Sequence, residues 1–519
     1  MRPHYFFLVI FFLAPGLLMS QYQNVMISNE DFPEEPSIMI NPKNTDEIVA
    51  GANTASFYYS DDGGSTWNLG TLTSSYGVWG DPCIIADTNG HFYFFHLSNP
   101  ASGNWIDRIV AQKSTDGGQT WNDGSYMGLD GTKAQDKEWA TVDYTNNNIY
   151  VTWTQFDDYG SSNPLDSTII RFSRSLDGGQ SWSPGVRINK VAGNCLDEDE
   201  TVEGAVPAVG PNGEIYTSWA GPLGLVFTKS LDQGVTWPVE NIFVTDIPGG
   251  WDFSIPGISR ANGFPVTCCD LSGGPNHGRI YINWSDQRNG LDDTDVWLVK
   301  SDDSGETWSN IIRVNDDPAG KQQFFTWMDI DQTTGYIYIV FYDRRNYSNN
   351  LTDVYLAVSK DGGDTFDNIL ISESPFNPTS TVFFGDYSNI SAHNGIIRPI
   401  WTRLDGGDLS VWTAIIDSTS VGILPGKQVP ALLSLEQNYP NPVREYTHFP
   451  YKIYLPSIVT LKIYNIYGKE VASIVEDKFH VPGKYIERFD ASSYQLSPGF
   501  YYFSLTCGEQ TLKRKMILE

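Results

Sequence analysis

The residues of this sequence best suited to chemistry are carboxylates placed just ahead of strand-like stretches. Glu138 and Glu203 occupy such places in consecutive units of the chain, and Asp386 with Tyr387 occupies another. Carboxyl groups sharing a partly desolvated cavity do not ionise independently, so one keeps its proton and serves as an acid while its neighbour serves as a base. A tyrosine beside a carboxylate is the type of pair a nucleophile needs, and together these groups suit glycoside hydrolysis. Asp81 adds a further acid, Trp79, Trp139 and Trp327 offer flat apolar faces for sugar rings, and Arg344 and Arg403 are expected to hold a ligand carboxylate or sulfate bidentately. The same residue types also have a structural use. Acids ahead of strands cap backbone amides, and about six to ten of the 16 tryptophans are accounted for by clips and sheet cores.

Two loops repeat the arrangement D-x-R-N followed by D-V-[WY], at Asp286 to Trp297 and at Asp343 to Tyr355. Salt bridges from Arg288 to Asp295 and from Arg345 to Asp353 are expected inside them. Arg344 has Gln287 as its counterpart, which frees it to face a ligand. Asp197-Glu198-Asp199-Glu200 and Asp292-Asp293-Thr294-Asp295 supply the hard oxygens that Ca²⁺ takes, although neither follows the EF-hand spacing. No motif calls for a cofactor; a nucleophile elbow, P-loop, H-E-x-x-H and C-x-x-C are all missing from the sequence.

The elements that must position these residues recur. The pattern S-x-D-x-G-x-[TS]-[WF] appears six times, ending at Trp67, Trp121, Trp182, Trp237, Trp308 and Phe366. In each, the Asp is expected to cap the amides of a tight turn, the Gly to supply a positive φ, and the ring to pack where the next strand begins. Between these clips lie strands such as Ile149-Tyr150-Val151-Thr152-Trp153 and Ile337-Tyr338-Ile339-Val340-Phe341, so each unit is four short strands. Such units predict an all-β, seven-bladed β-propeller over residues 21–417. Its last blade lacks a fourth strand after Ile415, and residues 21–28 are expected to close it beside Val411.

The clips resemble the Asp-boxes, or BNR repeats, of the sialidase superfamily. That resemblance implies clips at one rim and ligand-facing loops at the other, where Glu35, Asp81, Glu138, Glu203 and Asp386 would line the channel mouth. It does not extend to the sialidase arginines: no Arg-Ile-Pro occurs, and after Arg2 the first arginine is Arg108. Arg398-Pro399-Ile400 reorders those residues and sits in the last blade.

The chain ends speak about location. Arg2 and His4 precede an apolar run broken at Pro15 and Gly16, which reads as a signal peptide over 1–20. Five cysteines are too few for a disulfide scaffold, with a Cys195 bridge to Cys268 or Cys269 as the one conceivable pairing. Of the formal charge of −29, residues 430–519 contribute +1, with ten Lys and Arg against nine Asp and Glu, so −30 falls on residues 1–429; nucleic acid is excluded as a partner. After a linker at 418–431, residues 432–519 alternate as in Val459, Leu461 and Ile463, predicting a small immunoglobulin-like β-sandwich. Through Gln437-Asn438-Tyr439-Pro440-Asn441-Pro442, Ile466-Tyr467-Gly468 and Phe489-Asp490-Ala491-Ser492, this unit resembles the type A C-terminal sorting domain of the type IX secretion system. The resemblance implies export through the periplasm to the outer surface or beyond, with the secretion machinery as a partner. Two functions follow for the propeller, expected to be a monomer with no membrane span after signal cleavage: a glycoside hydrolase of sialidase-like fold, or a non-catalytic glycan- or protein-binding module.

Overall fold

The computed structural model describes residues 22–418 and 433–519, apart from 436, 454–455, 466–467, 495 and 508–509. The expected signal peptide and nearly all of the linker lie outside the described residues. Two compact units result, one holding residues 22–418 and the other 433–519. Among the described residues both are all-β, with one short 3-10 turn at Ala491–Tyr494.

The first unit is a set of blade-like antiparallel sheets. Six have four strands in chain order, beginning with Ser37–Ile40, Gly80–Ala86, Ala134–Asp143, Glu203–Val209, Val266–Cys269 and Gln323–Asp331. A further sheet joins Asn389–His393, Ile396–Asp405 and Asp408–Ala414 to the N-terminal strand Asn24–Ser28, with Ser28 opposite Val411. The strand that Asp386 and Tyr387 precede begins at Asn389, after Gly385 turns the chain at a φ of 90°. First strands of every sheet surround a central channel of about 210 Å³, lined among others by Met39, Cys83, Trp139, Val206, Val266, Trp327 and Ile390.

Each clip joins the third and fourth strands of its sheet. In the clip at Ser175, the Asp177 carboxylate accepts from the Ser175 hydroxyl at 2.8 Å and from the amides of Gln180 and Ser181 at 3.0 and 2.9 Å. The clip also fastens sheet to sheet. Trp237 meets Phe172 of the preceding sheet at 4.9 Å and Trp308 meets Phe227 at 5.1 Å. Gly234 and Gly305 are required there twice over: both have a positive φ, and a Cβ on either would stand 2.2 Å from those same phenylalanine rings. The first clip is held differently. Arg398, 5% exposed, donates to the carbonyls of Gly63, Ile397 and Ile416 at 2.7, 2.8 and 2.7 Å, tying the first sheet to the last.

The second unit has a three-stranded sheet, ordered Leu433–Leu435, Tyr446–Ile453, Gly483–Asp490, and a four-stranded sheet, ordered Glu470–His480, Ser457–Asn465, Gly499–Cys507, Gln510–Leu518. Val459, Leu461 and Ile463 are buried while Thr460, Lys462 and Tyr464 are not, so one face supplies the core with Phe449, Phe503 and Leu505.

Candidate functional site

The first strands open with a recurring irregularity. Register shifts occur at Gly80/Cys83, Asp136/Trp139, Glu203/Val206 and Phe324/Trp327. At or beside each shift a residue takes a left-handed φ: Asp81 53°, Lys137 49°, Gly204 76° and Phe325 49°, with Glu35 at 52° ahead of its own first strand. Such bulges re-aim side chains at a sheet rim. Here they turn Glu35, Asp81 and Lys137 toward one another.

Lys137 stands at the centre and is buried. Its Nζ lies 2.9 Å from Asp81 Oδ2, 3.0 Å from Asp386 Oδ2 and 3.7 Å from Glu35 Oε1. Arg260, carried beside the two-stranded ribbon Asp252–Phe253/Ala261–Asn262, donates from Nε to Asp386 Oδ1 at 2.9 Å, pairs through Nη2 with Asp386 Oδ2, and donates from Nη1 to Asp197 Oδ2 at 2.7 Å. The Tyr159 hydroxyl also donates to Asp197 at 2.7 Å, and Asn53 Nδ2 donates to Glu34 and Glu35 at 3.1 and 2.5 Å.

These neighbours push the acids apart. Burial opposes charge on Asp81 and Asp386, yet Lys137, joined at Asp386 by Arg260, holds both below the usual carboxylate range. Burial, assisted by Asp81 and Asp197, raises Asp136 to about 7, and burial with Asp81 and Asp386 raises Glu34 to about 8. Glu138 and Glu203 are 1% and 0% exposed, and neither carboxyl meets a hydrogen-bond partner in another described residue. Burial pushes both well up, which favours their protonated forms.

The structure does not pair Glu138 with Glu203 as their sequence positions suggest. Asp136 and Glu203 are the last paired residues before their bulges, whereas Glu138 lies inside its bulge, level with Ala205. The two-residue offset gives them different surroundings, in which Asp136 and Lys137 are the charged neighbours common to both, Asp81 acts on Glu138, and Asp197 and Arg260 act on Glu203. Asp386 and Tyr387 lie on the bend ahead of the Asn389–His393 strand and take different neighbours. Asp386 meets the bases, while Tyr387 packs on Trp139 at 5.0 Å and Trp327 at 6.2 Å, closing the channel below Lys137. Burial raises the Tyr387 hydroxyl well above its ordinary range. Trp139 is likewise buried, as is Trp251, whereas Trp79 is 42% exposed.

The arginines expected to face a ligand are drawn inward. Arg344 is 2% exposed, donates to Thr352 Oγ1 and the Pro256 carbonyl, and lies over the Phe324 ring. Arg403, 7% exposed, reaches Ser374 and Asp405 and stacks between Phe376 and Trp412. The loop salt bridges also differ from expectation. Arg288 pairs with Asp286 and Arg345 with Asp343 and Asp316, because each arginine folds back over its own strand end onto aromatic rings. Asp295 is taken by Arg313 and Asn315, and Asp353 by Asn346 and Tyr347. All five cysteines are free, so Cys195 bridges to neither Cys268 nor Cys269. In the acidic runs Asp197 serves Arg260 and Tyr159, Asp199 accepts the Asp252 amide, and Asp293 accepts the Gly320 amide; among the described residues no group of three or more His, Cys, Asp or Glu is placed to hold a metal ion.

Sequence reasoning missed Lys137 and Arg260 as the organisers of the mouth. Lys137 was legible as the one base among the residues that open the first strands, set between Asp136 and Glu138. Arg260 falls in the longest interval between clip aromatics, from Trp237 to Trp308, which marks an insertion.

Residues 437–519 match the secretion system C-terminal sorting domain family, and residues 58–69 match the BNR/Asp-box repeat. No curated protein matches the chain. Among solved structures, the Hadza microbial sialidase Hz136 is similar at 14% identity over 73% of this chain and 75% of that one, with a TM-score of 0.42. A Dyadobacter fermentans protein of unknown function is similar at 12% identity over 77% and 98%, TM-score 0.44, and the Fusarium graminearum alpha-L-arabinofuranosidase Arb93A at 12% over 65% and 93%, TM-score 0.43. The chain thus contains a BNR/Asp-box, propeller-like all-β domain and a type IX sorting domain, which directs secretion to the cell surface. Among the described residues no helix is long and apolar enough to cross a membrane.

Proposed function

We propose that residues 22–417 form a seven-bladed Asp-box propeller of sialidase-like fold, followed by an immunoglobulin-like sandwich, and that the exported propeller hydrolyses extracellular glycans at the mouth around Lys137. The observation supporting this reading is a pair of neighbouring carboxyls in opposite states: Asp136, raised to about 7, and Asp81, held ionised by Lys137 Nζ at 2.9 Å. Asp136 then donates a proton to the glycosidic oxygen, and the Asp81 carboxylate activates water or stabilises the cationic sugar. Asp386 positions Lys137 and Arg260, Glu138 and Glu203 back the site as neutral groups, and Tyr387 forms its floor. True sialidase action is not part of this reading, since Arg344 and Arg403 are spent on protein partners.

Release of reducing ends from glycans tests it. Asp136→Asn should fold normally and lower kcat by roughly 10²-fold or more. A second reading, a non-catalytic glycan-binding module, is favoured by the engagement of Asp81 and Asp386 by Lys137 and Arg260. Under it the wild type binds glycans without releasing reducing ends, and Asp136→Asn changes affinity only modestly.

A further inference from the structure

An aromatic corner lies beside the Lys137 cluster. Trp79 and Trp105 are 42% and 43% exposed, and their rings meet edge to face at 5.9 Å and 89°. Trp105 meets Tyr159 the same way, at 5.5 Å and 87°. Perpendicular indoles left open to solvent form two walls that a flat, partly apolar ring can fill.

The corner is built, not loose. Ile106, a buried β-branched residue, takes a φ of 44°, where such residues are true outliers. Its carbonyl accepts from the Gln135 amide at 2.7 Å, on the strand that carries Asp136 and Lys137. The Asp107 carboxylate then ties the loop through Ser98, Asn104 and Arg108. Backbone strain is thus held where it turns Trp105 outward beside the mouth.

Hydrogen-bond acceptors flank both ends. Beyond Tyr159 stands Asp197, and beside Trp79 the backbone of Gly80 packs on Asn53, which holds Glu34 and Glu35. Lys137 and Arg260 are already occupied by Asp81, Asp386 and Asp197. A ligand carboxylate or sulfate would meet acids without a free base, whereas sugar hydroxyls or amines would find acceptors.

We infer that Trp79, Trp105 and Tyr159 form a subsite for a pyranose ring of a glycan bearing no carboxylate or sulfate. This rests on the reading that the mouth acts on glycans, and it replaces the acidic glycan expected from Arg344 and Arg403. An immobilised panel of neutral, amine-bearing, uronic-acid and sulfated pyranose oligosaccharides tests it on the full secreted chain. The wild type should bind within the neutral and amine-bearing sets, and Trp105→Ala and Trp79→Ala should each weaken that binding roughly tenfold or more with unchanged melting. Preference for the acidic sets, binding to none of the panel, or full binding by both variants would overturn the subsite. Binding lost in both variants without reducing-end release by the wild type would uphold the subsite and remove only the hydrolase reading.

Discussion

The two rims of the propeller-like unit use acids in opposite ways. At the clip rim the carboxylates of Asp62, Asp116, Asp177, Asp232, Asp303 and Asp361 recur on one pattern, and each accepts the hydroxyl two residues before it. For Asp177 slight burial opposes charge, but the Ser181 hydroxyl and amide and the Ser175 hydroxyl hold it at about 2. At the other rim no two sheets present the same acid in the same setting. There Asp136, Glu138 and Glu203 are buried and pushed up, while Asp81 and Asp386 stay ionised against two bases. Repetition marks acids that build the fold; departure from repetition marks acids with a local task.

Removing Lys137 should break this contrast most severely. Lys137→Met leaves Asp81, Asp386 and Glu35 facing one another in a buried mouth, and stability should fall by about 3–5 kcal/mol in denaturant unfolding. Arg398→Met comes next, since three carbonyls between the first and last sheets lose their donor; a loss of about 2–3 kcal/mol is expected, with glycan binding retained. Asp177→Ala should cost about 1–2 kcal/mol and leave binding and turnover untouched. If Asp177→Ala abolished binding while melting stayed unchanged, the division between the rims would be wrong.

The smallest effect is in pH dependence, where the rims have opposite signs. The clip acids have depressed folded pKa values, so their stabilisation is complete above about pH 4 and is lost as pH falls toward about 2. Asp136 and Glu34 have raised values of about 7 and 8, so in the interval from about pH 4 up to those values the unfolded chain holds fewer protons, and stability declines with rising pH. Glu203→Gln, neutral in both states, should flatten the decline on the alkaline side, measured as melting temperature against pH. An equally steep decline in that variant would show that Glu203 does not keep its proton.

The regular rim was readable in the sequence and the other only in part, for a physical reason. A clip is local: Ser175, Asp177 and Ser181 satisfy one another within a single turn, so spacing alone identifies the contacts. Likewise, the alternation of Val459, Leu461 and Ile463 shows its buried face directly. The mouth is assembled from distant segments: Asp386 meets Lys137 and Arg260, and no spacing encodes those meetings. Glu138 and Glu203 stand alike in the sequence, but a bulge offsets them, and bulge position is set by pairing with the next strand. Arg344 stands out in the sequence because its counterpart is Gln287, yet the surrounding loops cover it, and loop packing leaves no periodic signal.

Difference infrared spectroscopy of the carboxyl groups at pH 6 tests the central contrast most directly. Wild-type protein should show a protonated-carboxyl band that loses intensity in Glu138→Gln and in Glu203→Gln and is unchanged in Asp177→Asn. A wild-type spectrum with no protonated carboxyl at pH 6, or a band diminished by Asp177→Asn and indifferent to both Glu variants, would contradict the assignment of neutral acids to the mouth and ionised acids to the clips.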